Sequence, residues 1–186
     1  MSTQATLDQI AAEIVANNVC PNLAKTATHL VFGEGSPAAR IMFIGEAPGK
    51  HEDLTGRPFV GAAGKFLSEL LEGIGLRRED VYITSILKYR PPHNREPLPE
   101  EEQAFWPYLL AQIEAIQPQL IVPLGRHGLN CFLPNAKISA VHGQVQQWQG
   151  RTILPLYHPA AALYNNSMRH ILVHDFARIK TYLSNK

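Results

Sequence analysis

The chain has only two cysteines, Cys20 and Cys131, among its 186 residues. Two thiols cannot build a disulfide framework, nor can they supply the four thiolates of a structural zinc or iron–sulfur site. Long apolar runs are lacking too, because no stretch reaches the roughly 18 residues that a membrane helix needs. The N-terminal segment carries Asp8 and Glu13 where a signal peptide would be apolar. We therefore expect a soluble cytoplasmic protein with no membrane partner.

An excess of charge of either sign is also lacking. Lysine and arginine together number 17, aspartate and glutamate number 16, and the formal net charge is +1. A nucleic-acid partner therefore has to be argued from the placement of basic residues and not from the total charge. The length fits one domain, and a composition of 45% hydrophobic and 18% charged residues is that of a globular protein.

Apolar runs alternate along the chain with segments of helical spacing. The runs predicted as strands are 29–32, 41–44, 81–87, 120–124 and 153–157, and Gly143 and Gly150 punctuate a predicted hairpin. Helical spacing predicts helices at 7–18, at 66–74, from Pro99 onwards, at 129–132 and across 168–183. Strands that alternate with helices form parallel sheets, because parallel neighbours need crossover connections. We predict a single three-layer α/β/α domain with a short parallel central sheet, over residues 1–186, with residues 1–28 as an N-terminal helical segment packed on it.

Several hydrolase and nucleotide-binding templates are missing from the sequence. It contains no G-x-S-x-G elbow and no H-E-x-x-H pair. Residues 33–38 match a dinucleotide-binding pattern in letters, but Pro37 interrupts it and a predicted strand follows at once. Enzymes built on these templates are therefore excluded.

Chemistry-bearing side chains follow several predicted strands, at the edge where such sheets bind ligands. The turn Gly45-Glu-Ala-Pro-Gly49 has two glycines that let successive backbone N–H groups face one point. Glu46 in this turn is either an acceptor beside a pocket or a cap for the segment that follows. Phe59 lies in a loop between glycines and is either a core residue or a stacking platform. His158 brings an imidazole to the end of the last predicted strand.

Basic residues are concentrated in two loops that follow predicted strands. One loop carries Lys50, His51 and Arg57, and the other carries Lys88, Arg90, His93 and Arg95. Both loops are expected at the same rim of the sheet, with Arg169 a little further along the chain. A basic rim on a nearly neutral protein favours binding to a phosphate backbone.

Three segments in this order resemble the motifs of the family-4 uracil-DNA glycosylases, over about residues 32–183. They are Gly45-Glu-Ala-Pro-Gly49, Glu52-Asp53 with Gly56-Arg-Pro-Phe-Val-Gly61, and His158-Pro-Ala-Ala. The resemblance implies an α/β/α domain that removes a deaminated base from DNA without a metal in the chemistry.

The resemblance also implies roles for individual residues. Phe59 takes the position of the aromatic ring that stacks on the flipped base, Glu46 lies in the motif that holds the hydrolytic water, and His158 is the histidine beside the uracil O2. The base-binding residues implied are Gly45, Ala47, Phe59 and Ser85. The predicted DNA-binding residues are Lys50, His51, Lys88, Arg90, Asn94, Arg95, Leu163, Tyr164 and Arg169. Leu163 and Tyr164 are alternative candidates for the wedge that fills the vacated base stack.

The chain departs from the family pattern at two places. Tyr89 and Phe105 stand where the family usually has cysteines, and Asn17 stands where one of an N-terminal pair would be, so no iron–sulfur cluster or other cofactor is expected. Ser85 stands where the family commonly has an asparagine that reads the edge of uracil.

We predict a monofunctional, monomeric base-excision glycosylase without a bound metal, acting at the nucleoid on DNA that contains uracil or another deaminated base. No lysine is placed to argue for a covalent Schiff base. The alternatives are a catalytically silent relative that holds a lesion or single-stranded DNA, and a glycosidase of free nucleosides. Glu46 and His158 favour the enzyme over the silent binder, and the basic rim favours polymeric DNA over a nucleoside.

Overall fold

A six-stranded sheet runs through the protein in the computed structural model, which describes residues 2–184. The predicted extent of the domain, 1–186, also includes Met1, Asn185 and Lys186, which lie outside the described residues. The strands, in chain order, are β1 (Glu34–Gly35), β2 (Ile41–Gly45), β3 (Tyr82–Ser85), β4 (Leu120–Pro123), β5 (Gln146–Trp148) and β6 (Arg151–Ile153).

The order of the strands across the sheet is β1-β3-β2-β4-β6-β5. The four central strands are parallel, whereas the short edge strands β1 and β5 pair antiparallel with their neighbours. The helices, in chain order, are α1 (Thr3–Ala16), α2 (Pro21–Ala24), α3 (Lys50–Thr55), α4 (Ala62–Gly73), α5 (Pro99–Ile116), α6 (Gly125–Phe132), α7 (Ile138–Val141) and α8 (Asn166–Ser184). Within residues 2–184, no helix is both long and apolar enough to cross a bilayer.

Strand β2 connects the two layers of the core. Its residues alternate between the faces of the sheet, as the geometry of a strand requires. Met42 and Ile44 pack in the layer that contains α1 and α5, whereas Ile41 and Phe43 pack in the layer that contains α4 and α8. None of these four side chains is more than 2% exposed. The predicted α/β/α architecture with a parallel central sheet is therefore confirmed.

One predicted strand is absent from the described residues. Residues 29–32 were expected to form it, but the amides of Thr28 and His29 donate to the Asp53 carboxylate, over 2.8 and 3.3 Å. The Val31 amide donates to the carbonyl of Lys88 over 2.8 Å. Because a side chain and a loop satisfy these donors, the apolar run forms no ladder, and the strand prediction at 29–32 is wrong.

The last parallel strand is shorter than predicted but leads to the predicted place. Strand β6 ends at Ile153, yet the amides of Leu154 and Leu156 still donate to the Ile121 and Pro123 carbonyls, over 2.9 and 3.0 Å. The chain thus follows β4 beyond the end of β6. These hydrogen bonds carry His158 to the carboxyl edge of the sheet.

Candidate active site

A cavity of about 470 Å³ opens at the carboxyl edge of the parallel strands. The predicted site residues that line it are Glu46, Ala47, Phe59, Ser85, Asn94, Arg95 and His158. They come from the ends of separate strands and from the loops between them, so the sheet topology is what brings them together. Glu52 also lines the cavity, although the sequence analysis assigned no role to it individually.

Ser85 at the end of β3 lines the cavity, whereas Gly45 at the end of β2 packs against the Phe59 ring. Gly45 and Ser85 are neighbours in the parallel ladder, and Ser85 is 4% exposed. A Cβ atom on Gly45 would lie 2.6 Å from Cζ of Phe59 and 3.4 Å from the Ser85 hydroxyl oxygen. The absence of a side chain at Gly45 therefore lets the Phe59 ring lie directly against the backbone.

Phe59 has an unusual backbone conformation that its surroundings hold in place. Its φ is +50°, in the left-handed region that costs energy for a residue with a side chain. Arg78 donates from Nη1 to the Phe59 carbonyl over 2.8 Å and from Nη2 to the Pro58 carbonyl over 2.6 Å. Glu34 in turn accepts from Nη2 of Arg78 over 2.6 Å. Arg78 thus fixes the carbonyl side of Phe59.

Glu52 fixes the other side of the same loop. One carboxylate oxygen accepts from the amides of Val60 and Gly61, both over 2.9 Å, and the other accepts from the amide of Gly49 over 3.1 Å. The side chain thereby joins the Phe59 loop to the turn that follows β2. Gly64 lets the loop approach α4, since a Cβ there would lie 1.9 Å from the Phe59 carbonyl oxygen.

The tautomer of His158 follows from its hydrogen bond. The ring accepts at Nδ1 from the amide of Ala160 over 3.1 Å, so the neutral imidazole carries its hydrogen on Nε2. Burial lowers the pKa of His158 to about 4, which keeps the ring neutral at physiological pH. The side chain is therefore a neutral N–H donor in the wall of the cavity.

Glu46 has lost part of its solvation. Its side chain is 33% exposed, and burial raises the pKa of the carboxyl group above its ordinary value. Nearby Glu96 and Glu102 act in the same direction, whereas His127 and Arg126 oppose them. The sequence left open whether Glu46 caps the next segment, and the geometry gives that role to Glu52, which accepts from the amide at the start of α3. Glu46 itself lines the cavity.

The prediction that Lys88 binds DNA is wrong. Its side chain is 0% exposed, and Nζ donates to the Thr84 hydroxyl, the Ser85 carbonyl and the Gln112 side-chain oxygen, over 2.6, 2.7 and 2.6 Å. These three acceptors use all three hydrogens of an ammonium group, although burial lowers the pKa of Lys88. Lys88 therefore holds the end of β3 from the protein interior and cannot reach a phosphate.

The other predicted DNA-binding residues are at least partly exposed, and two of them, Asn94 and Arg95, line the cavity. Lys50, His51 and Asn94 are exposed, whereas Arg90 is half-buried and donates to the Asn94 side chain over 2.8 Å. Arg95 is paired with Glu101 over 2.6 Å.

The remaining three predicted contacts lie on the chain after His158. Arg169 is paired with Glu69 over 2.7 Å and lies on the Phe66 ring, 4.3 Å from its centroid. Leu163 is 38% exposed and Tyr164 is 95% exposed. Tyr164 is thus the more accessible of the two candidate wedges.

The region that corresponds to the cluster-binding cysteines of the family is packed with other side chains. Tyr89 and Phe105 meet edge to face, with ring centroids 5.9 Å apart. Cys20 is buried there, and burial together with Glu101 raises the pKa of its thiol to about 11. The residues 2–184 contain no group of three or more His, Cys, Asp or Glu side chains arranged to hold a metal ion. These residues do not fit a four-thiolate cluster.

Sequence comparison agrees with the motifs. Residues 32–183 match the uracil DNA glycosylase superfamily. The chain is 50% identical over 182 residues to a type-4 uracil-DNA glycosylase of Archaeoglobus fulgidus, which covers 93% of this chain and 91% of the relative. It is 45% identical over 189 residues to a type-4 uracil-DNA glycosylase of Thermotoga maritima, with 98% of each chain covered. A type-5 uracil-DNA glycosylase of Thermus thermophilus is 37% identical over 116 residues, which cover 54% of this chain and 52% of the relative.

The resemblance inferred from three short motifs is thus confirmed along almost the whole chain. Two of those motifs, after β2 and at His158, place side chains in the wall of the same cavity. The third supplies Phe59 and the carboxylate that holds its loop. Motif order, fold and identity agree that the chain belongs to the uracil-DNA glycosylase superfamily and, within it, to the type-4 family.

Proposed function

We propose that this protein removes uracil from DNA by hydrolysing the N-glycosidic bond with water. The observation that carries the proposal is the neutral N–H donor of His158 in the same cavity as the partly desolvated carboxylate of Glu46. As the bond breaks, negative charge develops on the base and positive charge develops on the sugar. The donor matches the negative charge, and the carboxylate matches the positive charge. The names of the type-4 relatives support uracil in DNA as the substrate.

A base has to leave the duplex before it can enter such a cavity. Extrusion costs a few kcal/mol, and an aromatic side chain compensates by stacking on the extruded base. Phe59 supplies that surface, because Arg78 and Glu52 hold its loop in one conformation. Ser85 and the backbone at Gly45 and Ala47 are assigned to reading the edge of the base.

In the chemical step, the oxygen of a water molecule bonds to C1′ of the sugar while the bond from C1′ to N1 of the base breaks. The electron pair of that bond leaves with the base, and Nε2–H of His158 stabilises the negative charge at O2. The Glu46 carboxylate accepts the proton that the water loses and stabilises the positive charge on the sugar. All reacting groups belong to the chain, the water and the substrate.

DNA binding completes the proposal. Six residues are assigned to the backbone phosphates near the extruded nucleotide: Lys50, His51, Arg90, Asn94, Arg95 and Arg169. Tyr164 is the first candidate to fill the vacated stack, because it is the more exposed of the two wedge residues, and Leu163 is the second.

The finer assignments are part of the same proposal. We propose that residues 1–186 form one glycosylase domain that acts as a monomer at the nucleoid, in the cytoplasm, and accepts other deaminated bases besides uracil. It uses no cofactor, because Tyr89 and Phe105 pack together in the region where the family usually has cysteines. Metal analysis of anaerobically purified protein tests this last point, and stoichiometric iron would contradict it.

The decisive experiment uses a labelled oligonucleotide with one uracil, followed by alkaline cleavage of abasic sites. The proposal expects strand cleavage only after incubation with the protein, and a loss of about 100- to 1,000-fold in single-turnover rate for His158→Ala, because one donor to the leaving base is removed. Tight binding to the oligonucleotide without any abasic product would instead favour a catalytically silent lesion binder. Release of uracil from deoxyuridine but not from the oligonucleotide would favour a nucleoside glycosidase.

A further inference from the structure

His127 carries an unpaired polar atom next to the proposed site. Within residues 2–184, its Nε2 is the only buried side-chain nitrogen or oxygen without a hydrogen-bond partner. Buried polar groups are nearly always paired, so an unpaired one indicates a role. Helix α6 places this atom 3.9 Å from a carboxylate oxygen of Glu46, which is within ion-pair distance but beyond a direct hydrogen bond.

The other ring nitrogen of His127 fixes the direction of its hydrogen atoms. Nδ1 lies 3.1 Å from a carboxylate oxygen of Glu102, and a carboxylate only accepts, so Nδ1 carries a hydrogen. In a neutral ring, Nε2 would then present a lone pair to Glu46 and to Glu96, whose carboxylate oxygen is 3.8 Å away. In a protonated ring, Nε2 presents an N–H to both. Three carboxylates, from Glu46, Glu96 and Glu102, therefore surround the imidazole.

The proposed reaction requires an ionised carboxylate at Glu46, and a nearby positive charge favours that form. A protonated carboxyl group cannot accept the proton of the attacking water, and partial burial favours that neutral form. Glu96 and Glu102 add like charges on the same side. Arg126 compensates in part, but its guanidinium is already bound to Glu96. His127 is the basic side chain that lies 3.9 Å from Glu46, and a positive charge there lowers the pKa of the Glu46 carboxyl group.

We propose that His127 is a positioning residue that keeps the Glu46 carboxylate ionised and turned towards the cavity, with Glu102 anchoring the imidazolium from behind. This inference rests on the proposed role of Glu46 as the acceptor of the water proton. His127 itself gains and loses no proton in the reaction. The water proton goes to Glu46, the electron pair of the broken bond goes to the base, and Glu46 returns its proton to solvent after the products leave.

The test is the pH dependence of the single-turnover rate for the wild type, His127→Gln and His142→Gln. A glutamine amide can still donate to Glu102 but carries no charge. Removal of the positive charge should raise the pKa of Glu46 further, so the acid limb of the profile should move to higher pH by about one unit. The rate below the midpoint should then fall about ten-fold, and the plateau at high pH should stay within about three-fold.

His142→Gln is the matched control. His142 also pairs with a carboxylate, that of Asp175, over 2.6 Å, but it does not line the cavity. Its profile should coincide with that of the wild type. An unchanged midpoint for His127→Gln, with or without a lower plateau, would overturn the proposal, because a purely structural role changes the plateau alone. An equal shift in both histidine variants would overturn it as well.

Two further measurements cover a His127→Gln variant that does not fold and a failure of the role assigned to Glu46. If His127→Gln does not fold, ¹⁵N NMR of the wild type replaces it, and hydrogens on both nitrogens of His127 are expected at the midpoint of the acid limb. A ring with a bare Nε2 there would overturn the inference.

Glu46→Gln tests the underlying function. A wild-type rate for this variant would remove the assigned role of Glu46 and His127 together, whereas a slow Glu46→Gln with an unshifted His127→Gln would refute only the role of His127.

Discussion

The imidazole of His158 lies on the ring of Phe59, with centroids 5.5 Å apart and the two planes inclined by 27°. The proposed stacking surface and the proposed donor to the leaving base thus form one wall of the cavity. The Phe59 ring is one of the groups packed against the imidazole, and burial lowers the pKa of His158. The two assigned functions are physically coupled.

Phe59→Ala tests this coupling. Loss of the ring exposes the imidazole, so the pKa of His158 should rise from about 4 towards its ordinary value, as followed by NMR titration. Affinity for uracil-containing DNA should fall by about 1–3 kcal/mol, since one base–aromatic stacking contact is lost. An unchanged His158 titration in a folded variant would contradict the coupling.

Arg78→Met tests the support of the Phe59 loop, with Arg57→Met as its control. Both arginines bind Glu34, but only Arg78 reaches the carbonyls of Pro58 and Phe59. We expect Arg78→Met to lower the free energy of unfolding by about 1.5–3 kcal/mol, because hydrogen bonds from a charged group are lost. The single-turnover rate should fall as the stacking surface loses its position. Arg57 is 61% exposed, so Arg57→Met should change stability by less than about 1 kcal/mol. Equal effects of the two substitutions would argue against a specific role for Arg78.

Lys88→Met and Lys50→Gln distinguish a buried lysine from a phosphate contact. Lys88→Met leaves buried acceptors unpaired and should destabilise the fold by about 1–3 kcal/mol for each one that stays unsatisfied. It should leave the slope of log affinity against log salt unchanged, whereas Lys50→Gln should reduce that slope by about 1. A reduced slope for Lys88→Met would contradict its buried position.

Ser85→Asn tests base selection. A serine hydroxyl rotates and both donates and accepts, so it cannot enforce one hydrogen-bond pattern, whereas an asparagine amide presents donors and an acceptor in one plane. We expect Ser85→Asn to excise uracil faster and to discriminate more strongly against other deaminated bases, as measured by single-turnover rates on matched oligonucleotides. Loss of uracil release in Ser85→Asn together with a wild-type rate in Ser85→Ala would show that Ser85 does not face the base.

The sequence predicted the architecture and the edge at which the site forms, because both follow from local patterns. An apolar run that ends at Gly45 is buried on both faces, and ligands bind beyond the carboxyl ends of parallel strands. The same reasoning failed at residues 29–32, where the Asp53 carboxylate and the Lys88 carbonyl take amide donors that a strand would use in a ladder. It also failed at Lys88. One oxygen that accepts from its ammonium group belongs to the side chain of Gln112 in α5, which is 24 residues away in the chain.

The contacts that support the site were beyond sequence reasoning for a related reason. Arg78 holds carbonyls 19 and 20 residues earlier in the chain, and His127 lies between carboxylates from three other segments. No local spacing records such arrangements. The acidic motif at Glu52 was the one available signal, and it indicated the importance of that carboxylate without its partners.

If Arg95 and Arg169 bind phosphates as proposed, their ion pairs make DNA binding a competition within the molecule itself. A phosphate that binds Arg95 has to displace the Glu101 carboxylate, and one that binds Arg169 has to displace Glu69. Part of the attraction of each phosphate is therefore offset before any base is read. Under the proposed assignments, this competition would weaken binding to undamaged DNA, and stacking of the extruded base on Phe59 would supply the additional affinity at a damaged site.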